Sequence, residues 1–125
     1  MSVSVRTFFT ELDGPGARQV PPTVSGTLRF DIHDGDQVEH WLVTMAGGHA
    51  RAEESDADAD CVIVIDRELL ERIVNGEERM SPAFVRYAYT IEGNFTLIPA
   101  FEWLLPDTVG ARHPRQLAQG WKAAR

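Results

Sequence analysis

The sequence predicts an α+β domain: one largely antiparallel sheet with helices on one face. Residues 26–45 alternate apolar and polar side chains, which is typical of a half-buried β-hairpin. Residues 69–74 repeat apolar side chains at helical spacing. The predicted order of helix, four strands, two helices, strand and helix groups strands together, which favours α+β over an alternating α/β fold. The length of 125 residues, with 43% hydrophobic and 25% charged residues, is that of one globular domain.

The first elements are a helix and a hairpin. Residues 3–12 carry one apolar helical face, and a loop follows over residues 13–25. Residues 26–32 and 38–45 form the two hairpin strands, with Gly35 and Asp36 as turn residues. This turn predicts a pairing of Phe30 with Trp41, which puts both apolar faces on the same side. A one-residue slip would bury the polar side instead.

The middle of the chain supplies two more strands. Residues 49–55 read as a polar third strand, and residues 56–60 as an acidic turn. Residues 61–65, Cys-Val-Ile-Val-Ile, are continuously apolar, which is typical of a strand covered on both faces.

The second half alternates helices with a last strand. Asp66 is placed to cap a helix that ends near Gly76, and Ser81-Pro82 is typical of a second helix start. Residues 89–91 form the last strand. The final core helix is predicted to start at Thr96, with Pro99 in its first turn, and to run to residue 105.

We therefore expect one domain over residues 1–106 and a C-terminal tail over residues 107–125. Leu117 and Trp121 lie one helical turn apart, which indicates a partly ordered or docked tail helix. The tail carries four cations and one carboxylate, a charge of +3.

The remaining chain is strongly acidic. Eight arginines against eighteen carboxylates give residues 1–106 a charge of −10, within a total of −7. A nucleic-acid binder needs a basic face, so we exclude nucleic acid as a partner and expect weak membrane contact at most. The chain has no apolar run long enough to span a membrane, and its first residues lack the features of a signal peptide. We expect a cytoplasmic protein.

The sequence predicts no metal site or cofactor. The single cysteine, Cys61, excludes a multi-cysteine zinc site. Residues 56–67 begin like a calcium loop but have cysteine and arginine where glycine and glutamate are required. The histidines lack metal-ligand spacing. We place His33 and His40 on opposite faces of the hairpin.

An aromatic surplus lies late in the chain, in a segment of twenty residues. Such a cluster either packs a core or lines a ligand cavity, and composition leaves both open. Polar groups near such a cavity could act as acid or base, namely Tyr87, Tyr89, Glu92 and Glu102. The aromatic residues are Phe84, Tyr87, Tyr89, Phe95, Phe101 and Trp103.

Residues 26–106 resemble the sterol carrier protein type 2 family, in its bacterial branch. The resemblance is carried by segments in the family's order: Gly26-Thr27-Leu28-Arg29-Phe30-Asp31-Ile32, Trp41-Leu42-Val43, Asp60-Cys61-Val62-Ile63-Val64, Leu69-Leu70, Asn75-Gly76, Pro82-Ala83-Phe84 and Ile91-Glu92-Gly93-Asn94. It implies a five-stranded sheet and a hydrophobic tunnel between sheet and helices that holds a lipid or other apolar molecule. Tyr87 stands where family members often have glycine. A bulky ring at this position narrows or plugs the tunnel if it points inward, and leaves the tunnel open if it does not.

Three functions stay open at this point. The first is non-catalytic binding, or transfer, of a lipid or apolar metabolite. The second is a small pathway enzyme that uses the cavity. The third is a domain that forms a homodimer or binds a partner, with its tunnel closed. The predicted tunnel wall is Ile73, Met80, Phe84, Tyr87, Phe95, Ile98, Phe101 and Leu105.

Overall fold

A computed structural model describes residues 3–14, 18–80 and 88–106. It contains five strands in one sheet, in the order β3-β2-β1-β4-β5. The elements are α1 (Val5–Thr10), β1 (Gly26–Asp34), β2 (Gln37–Ala46), β3 (His49–Glu54), β4 (Cys61–Asp66), α2 (Arg67–Val74), β5 (Tyr89–Gly93) and α3 (Leu97–Glu102).

The hairpin has the predicted register. Phe30 pairs with Trp41 and Leu28 with Val43, and the two turn residues are Gly35 and Asp36. Gly35 has a φ of 62°, the left-handed conformation that this tight turn requires. The alternation of apolar and polar residues was therefore sufficient to set both strands and their pairing.

The sheet is mixed, since β1 pairs with β4 in parallel while the other three pairings are antiparallel. The expectation that β4 is covered on both faces is wrong. Cys61, Ile63 and Ile65 are buried, but Val62 and Val64 are only half-buried, on the face opposite the helices. The apolar run of β4 thus reflects its central place between β1 and β5 and not a second layer of helices.

Within the described residues, α1, α2 and α3 all pack on one face of this sheet. Helix α1 contacts β3 and α2, while α2 contacts β1 and β4, and α3 contacts β1. The apolar side chains of sheet and helices form a single core. Within the described residues no helix is long and apolar enough to cross a membrane.

The described helix ends follow the capping signals in part. Gly76 adopts a φ of 74° just past α2, as predicted, whereas the predicted helix start at Ser81-Pro82 lies outside the described residues. The Ser4 hydroxyl, which was not predicted as a cap, accepts a hydrogen bond from Thr7 N. Asp66 occupies the cap position of α2, but its side chain makes no capping hydrogen bond. Pro99 lies in the first turn of α3, as predicted.

Candidate functional site

The candidate site is the interior between the sheet and the helices. Five of the predicted wall residues lie within the described part of the chain and are buried in the one core: Ile73, Met80, Ile98, Phe101 and Leu105. Ile73 comes from α2 and Ile98 from α3, so two helices contribute to the same interior.

The other three wall residues stand differently. Phe95 lies on the surface just before α3, with 58% of the residue exposed. Phe84 and Tyr87 lie outside the described residues. A plug formed by the Tyr87 ring therefore stays a prediction.

The described interior is apolar throughout. No polar or charged residue is buried in it other than Tyr89 and Cys61, which belong to the core. The Tyr89 hydroxyl donates a hydrogen bond of 2.9 Å to the carbonyl oxygen of Met80. Burial, helped by the Glu102 charge and by Cys61, raises the pKa of Tyr89 to about 12. The phenol therefore stays protonated at neutral pH.

Cys61 is equally unreactive. It is fully buried at the start of β4, and burial, with a contribution from Asp60, raises the pKa of its thiol. A thiol that stays protonated is a weak nucleophile. Tyr89 and Cys61 are therefore both uncharged at neutral pH, and the interior offers a ligand an apolar surface.

Aromatic rings fill the part of the interior next to α1. Phe9 stacks on Trp41 at 5.2 Å between centroids and also contacts Phe30. Phe101 of α3 lies 4.9 Å from Phe30 and 6.2 Å from Phe8. The sequence pattern predicts aromatic lining only in the late segment. The adjacent Phe8 and Phe9, together with the inward parity of Trp41, were the signal that it missed.

A charged cluster lies on the opposite, helix-free face of the sheet. Arg29 binds Asp31 through two nitrogens, Nε at 2.9 Å and Nη2 at 3.2 Å, and His40 Nδ1 lies 2.7 Å from the same carboxylate. Burial opposes ionisation of Asp31, but the hydrogen bonds from Arg29 and His40 outweigh it and lower the pKa of that carboxyl. Arg29 also donates to the backbone carbonyls of Asp56 and Ala57. The cluster thereby ties the loop before β4 to the sheet.

The register corrects the placement of two histidines. Asp31 pairs with His40, and His33 lies two residues beyond Asp31 on the same strand. His33 and His40 therefore share one face and do not lie on opposite faces. In the described ranges no group of three or more His, Cys, Asp or Glu side chains is placed to hold a metal ion.

A polar cleft of about 520 Å³ lies at the turn end of the hairpin, outside the apolar interior. Arg67 bridges Asp34 at 3.2 Å and Glu71 at 3.0 Å beside it. Two charged residues of the lining, Arg67 and Asp34, are therefore paired with each other. The cleft is bordered by Ile32, Asp34, Gln37, Val38, Glu39, His40, Glu54, Ser55, Asp56 and Arg67.

Comparison of the structure with solved structures identifies the fold. The palmitated sterol carrier protein SCP2L2 of Aedes aegypti matches with a TM-score of 0.60 and 17% identity, covering 90% of this chain and 100% of that one. Sterol carrier protein 2 of Yarrowia lipolytica matches with a TM-score of 0.55 and 15% identity, over 63% of this chain and 65% of that chain. The sec-alkylsulfatase Pisa1 from Pseudomonas sp. matches with a TM-score of 0.54 and 17% identity, over 67% of this chain but only 13% of the enzyme.

These likenesses define the class: a five-stranded α+β protein with the sterol carrier protein 2 fold. The sequence then places the chain within a family. The model of the SCP-2 sterol transfer family matches residues 11–106, and the chain belongs to that family. Among curated proteins, none matches the sequence significantly.

Proposed function

We propose that this protein binds a lipid or other apolar molecule, without catalysing a reaction, in the interior between its sheet and its helices. One observation carries the proposal: the face of the sheet that points to the core is apolar from β3 to β5, and helices cover it. The match of the chain to the SCP-2 sterol transfer family supports the same function. A wall of this kind binds by removing apolar surface from water.

The apolar area that a ligand buries sets the affinity. Burying roughly 300 Å² of ligand surface at about 25 cal/mol per Å² contributes about 7 kcal/mol, which corresponds to a Kd of roughly 10 μM before ordering costs. Because those costs weaken binding further, a ligand that binds in the micromolar range has to bury more than this area. An apolar chain, with its polar group kept at the rim, fits such an interior.

The part of the wall that we assign to the ligand runs along α2 and α3. Ile73, Met80, Ile98 and Leu105 are its described members, and Phe84 and Tyr87 remain predictions. Phe95 is not part of this wall, because it is exposed on the surface just before α3. Phe101 belongs to the wall only through its edge, because its ring already packs on Phe30 and Phe8.

The enzyme alternative has less support. Tyr89 donates its proton to a backbone carbonyl and has a pKa of about 12, so it is a poor acid or base at neutral pH. Glu92 is exposed on β5 and faces solvent. Of the groups considered for acid–base work, these two are therefore unsuited to chemistry in the interior.

The test is direct binding of palmitate, labelled with ¹³C, to the whole chain. We expect native mass spectrometry of the purified protein to show a co-purified apolar ligand, or saturable binding of palmitate after its removal. Ile73→Phe should weaken binding by at least about tenfold, because the larger ring takes ligand space. Val62→Phe is the matched control: it adds the same ring on β4 but on the helix-free face of the sheet, outside the interior, and should leave binding unchanged.

A folded protein with no bound ligand and no saturable palmitate signal would show the proposal to be wrong. Equal loss of binding in Ile73→Phe and Val62→Phe would place the ligand elsewhere. Because overpacking destabilises any core by about 1–3 kcal/mol, both variants are compared at a temperature where each is folded.

A further inference from the structure

Aromatic and aliphatic side chains divide the interior into two halves. At one level of the sheet, the row of side chains on the core face reads Trp41 on β2, Phe30 on β1, Ile63 on β4 and Ile91 on β5. The two strands nearer β3 therefore supply rings, and the two strands nearer β5 supply branched aliphatic side chains. Helix α2, which carries the wall residue Ile73, packs on β1 and β4.

Four phenylalanine rings and one indole fill the aromatic half. Between ring centroids, Phe9 lies 5.2 Å from Phe30 and 5.5 Å from Phe8. Phe101 closes the circle at 4.9 Å from Phe30 and 6.2 Å from Phe8. Phe9 also stacks on Trp41 at 5.2 Å. We call these five residues the ring cluster, and three of them, Phe9, Phe30 and Phe101, have no exposed surface.

The ring cluster meets the ligand wall on α3. Ile98 of the wall and Phe101 of the ring cluster are both buried and lie three residues apart on α3, so they are neighbours on one face of that helix. An apolar chain that lies against Ile98 and extends toward β2 therefore reaches the rings of Phe101 and Phe30, with Phe9 behind them.

Polar contacts on two sides hold α1 in its place. Val3 N donates to Asn75 Oδ1 at 2.6 Å, and Asn75 Nδ2 donates to the Val3 carbonyl at 2.8 Å, which joins the start of α1 to the end of α2. Arg6 pairs with Glu54 of β3 at 2.7 Å. Helix α1 is thus fixed both to a wall helix and to the sheet, and the Phe9 ring that it carries is held in the core.

We propose that the ring cluster is the closed end of the ligand interior, and that Phe9 sets the length of the longest apolar chain that the interior holds in full. This inference rests on the proposed function and specifies its ligand. The apolar end of the ligand packs against Phe30 and Phe101, and its polar group stays at the rim. Rings packed at the density of a crystal leave no space for a longer chain, so further methylenes add no affinity.

The test is a series of saturated fatty acids titrated into the whole chain by isothermal titration calorimetry. For acids of about 8 to about 18 carbons, we expect Kd to fall about fourfold with each added methylene up to a limiting length. Beyond that length Kd should stay constant, because the added methylenes remain outside the interior.

Phe9→Ala removes the ring behind the closed end. Because the space left by a deleted core side chain is only partly refilled by relaxation, the limiting length should increase by about three methylenes. The longest acids should then bind at least about tenfold more tightly than they bind the wild type. Leu12→Ala is the matched control: Leu12 is also buried and follows α1, but it is not part of the ring cluster, and the limiting length should stay that of the wild type.

Phe9→Leu is the second variant, and it keeps the measurement open if Phe9→Ala does not fold. A leucine fills more of the space than alanine does, so the limiting length should increase by about one methylene. All variants are titrated at a temperature where each is folded.

The outcomes separate this inference from the proposed function. No saturable binding of any acid would overturn both. Binding that tightens up to the longest acid in the wild type would show that the ring cluster is not an end of the interior. An unchanged limiting length in both Phe9 variants would place the closed end elsewhere, and an equal increase in Leu12→Ala would assign the change to a general loosening of the core.

Discussion

Gly93 shows how closely two segments cross at the end of β5. Its φ is 102°, and a Cβ added there would lie only 2.2 Å from the Asp60 carbonyl oxygen. The next residue, Asn94, donates its N–H to that same oxygen at 2.8 Å. The missing side chain is what lets β5 end against the residue that precedes β4.

We therefore expect Gly93→Ala to lower the free energy of unfolding by about 3 kcal/mol, since backbone strain adds to a clash with backbone. Gly35→Ala is the control, because Gly35 has a φ of 62° but nothing within 4 Å of an added Cβ. It should cost only about 1 kcal/mol. Urea denaturation of both variants gives the comparison, and equal losses would contradict the crossing as described.

Asp31, on the helix-free face of the sheet, makes the free energy of unfolding depend on pH. Its pKa is lowered in the folded chain, so its carboxylate stabilises the fold above the unfolded pKa of about 4, and this stabilisation is lost as pH falls through the lower folded pKa. Asp31→Asn should lower the free energy of unfolding at pH 7 by about 1–3 kcal/mol, since Arg29 loses its charged partner.

The difference between wild type and Asp31→Asn should shrink below about pH 4, because protonation then removes the same charge from the wild type. Denaturant melts at pH 7 and pH 3 measure this. Asp34→Asn is the control: Asp34 also pairs with an arginine, but its side chain is 61% exposed. Its effect should stay below about 1 kcal/mol at both pH values.

At the scale of elements, one hydrogen bond joins β5 to the residue that follows α2 and its turn. The Tyr89 hydroxyl donates to the Met80 carbonyl in the buried interior. Tyr89→Phe leaves that carbonyl without its partner and should cost about 1–3 kcal/mol at neutral pH.

The same variant carries a signature at high pH. The pKa of Tyr89 is raised to about 12 from a model-peptide value of about 10, so its stabilisation is full below pH 10 and lost as pH rises toward 12. The wild type should therefore lose more stability than Tyr89→Phe between these values. Denaturant melts at pH 8 and pH 11 give the comparison, and parallel losses in both proteins would exclude the buried phenol as the cause.

Local patterns predicted most of the elements because each depends on near neighbours in the chain. The alternation of residues 26–45 set the hairpin, and Pro99 set the start of α3 to within one residue. The parallel pairing of β1 with β4 depends on contacts more than thirty residues apart in the chain, which no local pattern carries. The exposure of Phe95 has the same origin, since residue type alone does not say which side of a short helix faces the core.

The candidate site was predictable in its chemistry more than in its geometry. Hydrophobic residues at Ile73, Met80 and Ile98 predicted an apolar interior, and these residues are buried. The ring stack of Phe9 on Trp41 was not predicted, because it joins α1 to β2, and no local sequence pattern shows that these two elements are in contact. Which part of the core packs and which part binds is decided by such contacts between elements.

For the whole molecule, ligand binding and folding are linked. If palmitate binds the folded chain and not the unfolded one, a concentration of one hundred times Kd should raise the free energy of unfolding by about 2.7 kcal/mol. Thermal melts with increasing palmitate measure the shift. Ile73→Phe should show a much smaller shift than Val62→Phe at the same palmitate concentration.

The net charge predicts how the protein meets a membrane that holds its ligand. Residues 1–106 carry −10, so an anionic bilayer repels them, and this repulsion is screened within about 8 Å at physiological salt. Transfer of a fluorescent fatty acid to the protein should be faster from phosphatidylcholine vesicles than from vesicles with about a third phosphatidylserine. The difference in transfer rate between the two kinds of vesicle should become smaller as the salt concentration rises, because charge affects only the rate at which protein and vesicle meet. Faster transfer from the anionic vesicles would mean that a basic surface, such as the cations of residues 107–125, makes the contact. The same assay on Arg112→Glu with Arg115→Glu would then lose that preference, whereas under the acidic-body prediction it leaves the order of the two vesicles unchanged.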